Sequence, residues 1–216
     1  MRPAQVIYAD PPWHFKTWSK KGTGRGAVSH YQTMHLTRII EYIQDVVRDH
    51  AAYDCVLLLW VPDNMLEQGL KVARLCGFTF KTLGFVWVKT TKRGKWHFGN
   101  GYWTRANPEI CLLATRGKPK RLSKAVRKLQ VHQVRQHSQK PDAIRDEIER
   151  LLPGPYLELF ARTTRLTWYS IGDQVGLLDK GPVKTRRQPS DLRAANEKAR
   201  PLQTNNRQNI HRVRTR

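Results

Sequence analysis

Asp10, Pro11, Pro12 and Trp13 set an acid, two prolines and an aromatic ring side by side, directly after the apolar run VIYA at 6–9. An ionised Asp only accepts hydrogen bonds, and prolines have no N–H to donate, so their carbonyls are expected to stay open to a donor from outside. Such a cradle suits an amine that carries two protons. Trp13 adds a flat face on which a ring can stack, so the exocyclic amino group of adenine or cytosine meets the demands of the whole tetrapeptide. The competing reading is an ordinary strand-to-loop turn with an Asp cap and a packing Trp.

Elements of regular structure must hold this segment in place. VIYA (6–9), CVLLLWV (55–61), LGFVWVK (83–89), ICLLAT (110–115), YLELFA (156–161) and LTWYSIG (166–172) read as strands covered on both faces. LTRIIEYIQDVVRDH, NMLEQGLKVARLCG and KPDAIRDEIERLL carry apolar residues at three- and four-residue steps and read as amphipathic helices. Alternating strands and helices predict a doubly wound α/β domain with a mostly parallel sheet and helices on both faces. In that architecture ligands lie beyond the carboxyl ends of the strands, where Asp10 falls.

The chain has 216 residues, enough for one catalytic-size domain with extensions. Its 39 Lys and Arg against 17 Asp and Glu leave a formal net charge of +22, which points to a polyanionic partner. The excess is uneven. From Gly176 to Arg216 the chain is basic, polar and nearly without aromatics, and is expected to be a flexible tail behind a domain at 1–175. Two more basic stretches, 16–30 and 115–130, read as loops or loop-borne helices.

Other chemistries find little support. Cys55, Cys76 and Cys111 each sit in an apolar run, and the eight His residues lack ligand spacing, so no disulfide framework and no metal site is expected. Neither a signal segment nor a run of 18 apolar residues is visible, which predicts a cytoplasmic protein that does not span a membrane. No G-x-G-x-x-G phosphate turn is present.

Around the tetrapeptide the chain resembles the DPPW-motif family of adenine-N6 methyltransferases, to which the catalytic subunit of the eukaryotic messenger-RNA adenosine methyltransferase belongs. The likeness runs in order through HYQTM (30–34), LLLWV (57–61), FVWVKT (85–90), GNGYWTRANPEICLLATRG (99–117), HSQKPD (137–142), IERLLPGPYLELFAR (148–162) and WYSIGDQ (168–174). GYWTRANPE and PGPYLELFAR look most like the bacterial and phage DNA-methylase branch. The resemblance implies a Rossmann-like S-adenosylmethionine-dependent fold whose motif order is circularly permuted, the catalytic segment first and the cofactor strand last.

By position, the resemblance makes Asp10, Pro11, Pro12 and Trp13 the catalytic segment, with Asp10 also beside the cofactor. It assigns Glu158, Phe160, Arg162, Asp173 and Gln174 to the cofactor's ribose and methionine side, and Lys140 to the methionine carboxylate. Tyr31 lies on the loop closing over the substrate. Lys92, Arg93, Trp103 and Arg105 mix cations with an aromatic in a rim of the kind that handles nucleic acid. Asp173 stands where the eukaryotic enzyme carries Asn, so it can accept from ribose hydroxyls but not donate. Glu109 is expected to support a neighbouring loop rather than to take part in the chemistry.

The expected reaction holds the N6–H groups of adenine against the Asp10 carboxylate and the Pro11 carbonyl while the methyl of S-adenosylmethionine is transferred. DNA is the expected substrate, with the protein acting as a monomer or homodimer. RNA, cytosine N4, and a non-catalytic nucleic-acid-binding homologue stay open as alternatives.

Overall fold

The computed structural model describes residues 2–14, 33–99, 101, 103–136 and 139–179. Within them one sheet is built from β1 (Ala4–Ala9), β2 (Ala51–Val61), β3 (Thr79–Thr90), β4 (Glu109–Arg116), β5 (Leu129–Gln133), β6 (Tyr156–Leu159) and β7 (Trp168–Ile171). Its strand order is β5-β3-β4-β2-β1-β6-β7. Only β4 runs antiparallel to its neighbours; the pairs β1–β2, β1–β6, β6–β7 and β3–β5 are parallel.

The helices follow from their apolar spacing. In α1 (Leu36–His50), Ile39, Ile40, Ile43, Val46 and Val47 recur on one stripe, and all of them are buried. Arg48 and His50 in its last turn complement the negative end of the helix dipole. α2 (Leu66–Leu75) buries Val72 and Ala73 beside it. α3 (Asp142–Leu151) begins straight after Pro141, with Asp142 in its first turn, and buries Ile144 and Ile148.

Because side chains alternate along a strand, the sheet has two apolar faces. Ile7, Ala9, Leu57, Leu59, Leu112 and Leu157 pack under α1 and α2. Tyr8, Val56, Leu58, Trp60, Phe85 and Cys111 face the other way, with Ile144 and Ile148 of α3. Helices therefore cover both faces, and the α/β class read from the pattern is the one observed. The three cysteines are free and buried, and burial pushes the Cys55 and Cys76 thiols up to about 12.

Three details differ from the sequence expectation. β5 emerges at the end of the basic 115–130 stretch, where a loop or helix was expected. Its LQVHQ is too short and too densely flanked by Lys and Arg to show a period, yet Leu129 to Gln133 pair in parallel with Val86 to Thr90. β2 starts four residues before its apolar run, because α1 hands the chain straight into the sheet at Ala51. The expected tail does not start at 176: Leu178 N–H donates to the Arg162 carbonyl at 3.0 Å, and Asp179 accepts from the Thr164 N–H and hydroxyl at 2.8 and 2.9 Å. Residues 180–216 lie outside the described residues. Among the described residues, no helix is long and apolar enough to cross a membrane.

Ile144 has no exposed surface and no polar partner to lose. Replacing it with Ala is expected to lower unfolding stability by about 2–5 kcal/mol in urea titrations, since the cavity under α3 can collapse only in part.

Candidate active site

β1 lies where the winding of the sheet reverses. The chain leaves β1 toward β2 on one side, whereas β6, its neighbour on the other side, continues to β7. Strand ends at such a point splay apart and leave a crevice. Asp10 follows the last residue of β1, and Tyr8 sits opposite Glu158 in the β1–β6 register. Tyr8, Asp10, Arg145, Glu158, Phe160 and Arg162 line a cleft there, together with Lys140.

A row of alternating charges closes one side of that cleft. Lys140 Nζ donates to Asp10 Oδ2 at 2.6 Å and stands 3.1 Å from Glu109 Oε2. Lys89 Nζ lies 2.8 Å from the other Glu109 oxygen. The Lys140 ammonium also sits over the Trp60 ring, 5.2 Å from its centroid. Its side chain is only 10% exposed. Burial alone would strip its proton, but Asp10 and Glu109 outweigh that and raise its pKa.

The two acids differ. Burial pushes Glu109 upward, yet the ammoniums of Lys140 and Lys89 prevail and bring it down to about 2. Asp10 is raised from its ordinary value, chiefly by burial, with Lys140 opposing and the Glu109 charge adding. Asp10 shares the Lys140 ammonium with Glu109, whereas Glu109 also meets Lys89.

Glu158, on the neighbouring strand β6, lines the same cleft. Arg145 Nη1 donates to its Oε2 at 3.0 Å, and Arg145 also reaches Asp142. Burial lifts Glu158 to about 7; Arg145 opposes, while Asp10 and Asp142 raise it further. Phe160 follows in the left-handed region at φ 59°, with its ring 5.0 Å from that of Tyr42. Carboxylates, cations and an aromatic ring in one cleft fit a ligand bearing a ribose, an amino acid and a planar base. Glu158 can accept from ribose hydroxyls, and Arg162 brings positive charge toward a carboxylate.

Several expectations change on this geometry. Trp13 does not offer its ring face to a base: it is 4% exposed, and its indole N–H donates to the Trp60 carbonyl at 2.9 Å. Trp60 in turn donates to the Tyr8 hydroxyl at 2.7 Å, so Trp13 braces the strand tip from within. Nor are the proline carbonyls open. Pro11 O accepts from the Trp13 N–H at 2.9 Å and Pro12 O from the Met34 N–H at 2.7 Å, because the chain after β1 turns back to pair with residue 34. Lys140 is engaged by Asp10 and Glu109, so a ligand carboxylate would be a third anion around one cation. In this arrangement Lys140 holds Asp10.

Asp173 and Gln174 do not line the cleft. They follow β7 just after Gly172, whose close approach to the Ala161 backbone leaves only 2.5 Å for a side-chain carbon. The charge of Asp173 is felt on the α1 side of the sheet, by Tyr42. Lys92, Arg93, Trp103 and Arg105 lie on the long connection between β3 and β4. Tyr31 lies outside the described residues. Glu109, Lys89 and Arg145 are the residues sequence reasoning underrated: each is an ordinary charge on a strand or helix until the fold brings Lys89 to Glu109, Glu109 to Lys140 and Arg145 to Glu158. Among the described residues, no group of three His, Cys, Asp or Glu is arranged to hold a metal ion.

Residues 4–174 match the MT-A70 family model. The chain belongs to the MT-A70 family. It is an adenine-N6 methyltransferase, the activity that the resemblance to the DPPW-motif family implied. It is 29% identical over 187 residues to the Type II methyltransferase M.MunI of Mycoplasma sp, covering 79% of this chain and 77% of that protein. It is also 30% identical over 191 residues to the N(6)-adenosine-methyltransferase catalytic subunit METTL3 of Homo sapiens, covering 82% of this chain and 30% of that protein. A plant relative, the N(6)-adenosine-methyltransferase MT-A70-like of Arabidopsis thaliana, is 28% identical over 188 residues, covering 82% of this chain and 25% of that protein. The MT-A70 chain thus spans about three quarters of its bacterial relative and under a third of the eukaryotic ones.

The lowered Glu109 makes a pH test available. An acid depressed on folding contributes stability that is full above its unfolded value and is lost as pH falls through the folded one. The advantage of wild type over Glu109→Gln in denaturant unfolding is therefore expected to shrink as pH drops from 4.5 toward about 2. A difference that stays constant over that window would show that Lys89 and Lys140 do not hold Glu109 ionised.

Proposed function

We propose that this methyltransferase uses S-adenosylmethionine to methylate the N6 amino group of adenine in DNA, with Asp10 as the acceptor for that amino group. The observation that carries the reading is the Asp10 carboxylate at the mouth of the switch-point cleft, tethered at 2.6 Å by a buried Lys140. DNA is favoured over RNA by the bacterial relative, whose length the chain nearly matches, and by the branch that GYWTRANPE and PGPYLELFAR resemble.

Bound S-adenosylmethionine supplies an electrophilic methyl group on a sulfonium. Glu158, Phe160 and Arg162 would hold it, with Arg145 keeping Glu158 in place. Adenine N6 is a weak nucleophile because its lone pair is delocalised into the ring. A hydrogen bond from N6–H to the Asp10 carboxylate favours a more tetrahedral nitrogen and stabilises the positive charge that grows there during attack. Lys140 aims Asp10 and favours its ionised form, and Trp13 and Trp60 keep the strand tip from shifting. Asp10 need not be a strong base, since the N6 proton can depart after the methyl has moved.

The test is expression in a host without adenine methylation, followed by mapping of modified adenines in DNA and nucleoside mass spectrometry of DNA and RNA. N6-methyladenine in DNA, lost with Asp10→Ala while cofactor binding partly survives, is the expected result. Methylation confined to RNA would move the protein to the alternative substrate, and near-normal turnover by Asp10→Ala would remove the mechanism. The basic residues of 180–216 are expected to add phosphate affinity, so deleting them should flatten the dependence of DNA binding on salt; an unchanged slope would exclude that role.

A further inference from the structure

The connection from β3 to β4 leaves the same end of the sheet as Asp10. Lys89 closes β3 and Glu109 opens β4, and through Lys140 both belong to the charge row that ends on Asp10. The two arms of the connection are cross-tied by buried Asn107. Its amide donates to the Lys89 carbonyl at 2.9 Å and to the His97 carbonyl, and its oxygen accepts from the Lys89 N–H at 3.1 Å. His97 N–H donates back to the Lys89 carbonyl at 3.0 Å, and Gly99 N–H to that of Ala106 at 2.6 Å. The base of this loop is therefore fixed to the reaction site.

Its tip is built in an unusual way. Gly101 turns at φ 66°, and a side-chain carbon there would fall 1.8 Å from the Thr104 carbonyl oxygen, so the turn is as tight as a backbone allows. Trp103 follows at φ 69°, a left-handed conformation that bulky residues avoid. The ring receives no compensating burial: Trp103 is 92% exposed. Backbone strain held without packing points to a functional residue. Trp96 and Phe98, 58% and 55% exposed, precede it on the same connection.

The charges around the tip choose between occupants. Lys92, Arg93, Lys95 and Arg105 stand on this loop with no acid between positions 91 and 108. A second copy of the chain meeting it here would bring like charges together, whereas a nucleic-acid backbone neutralises them. An adenine in a duplex reaches a pocket such as that at Asp10 only by leaving its stack.

We propose that Trp103 is a wedge that enters the duplex as the target adenine swings out and stacks on the bases left behind, making double-stranded DNA the substrate form. This rests on the DNA-adenine reading above. It adds to that reading a specific task, holding the duplex open, for a residue that does not touch the reacting atoms.

Wild type and Trp103→Ala should be assayed with labelled S-adenosylmethionine on a mapped site in three forms: an intact duplex, the single strand, and a duplex whose target adenine faces an abasic position. The loss of one base stack predicts a fall in kcat/KM of about tenfold or more on the intact duplex. The fall should be several times smaller on the single strand and on the abasic duplex, where there is less stacking to replace, and Trp103→Phe should restore most of the duplex rate. Equal losses on all three substrates, no loss on the duplex, or wild-type activity on single strands alone would each overturn the wedge. So would a change in sedimented mass on substitution, which would assign Trp103 to a subunit contact. Wild type inactive on every DNA form but active on RNA would instead defeat the DNA reading itself.

Discussion

An ammonium buried between two carboxylates is the constraint on which the reaction end of this fold depends. Lys140 can remain charged at 10% exposure only because Asp10 and Glu109 close on it from either side, and each acid would in turn be costly there without the cation. The three residues come from α3's leading segment, the tip of β1 and the start of β4. Their pairing therefore pins three separate parts of the chain to one point at the carboxyl end of the sheet. Lys89 extends the row to the end of β3, so the loop above the site is tied to the same electrostatic anchor.

The tip of β1 is stiffened in a second way, by aromatic side chains directed inward. Trp13 bonds to the backbone of Trp60 and Trp60 to the hydroxyl of Tyr8, a path that passes under Asp10 from the loop to the neighbouring strand and back. The prolines belong to the same device: their carbonyls accept from Trp13 and Met34, and the segment after β1 is drawn into a short parallel bridge. A tetrapeptide that looks like an open cradle is thus mostly self-satisfied. What it presents to a substrate is one carboxylate in a controlled position, and positioning of that kind is where methyl transfer to a weak nucleophile gains its rate.

Across the switch point, Glu158 and Arg145 form a second acid–base pair in a deeper setting. Burial holds Glu158 near 7 despite its cation, so its charge is sensitive to whatever enters the cleft. The two pairs line one cleft from the neighbouring strands β1 and β6, close enough for the Asp10 charge to act on Glu158.

The amino-acid sequence by itself determined the α/β class, the span of all three helices, six of the seven strands and the place of Asp10 beyond a strand end. Those are local properties, written in apolar periodicity and in punctuation by proline and glycine. It also carried the family motifs, from which Asp10, Glu158, Phe160 and Arg162 follow, all of them in one cleft. Only the tertiary structure decided that Trp13 is a brace rather than a stacking surface, that Lys140 grips Asp10, and that Asp173 and Gln174 stand off the cleft wall. It also decided that Glu109 meets Lys140 and Arg145 meets Glu158, and that β5 completes the sheet edge. Burial and charge pairing are sums over residues up to 130 positions apart, as Asp10 and Lys140 are, and no local window of sequence contains both partners.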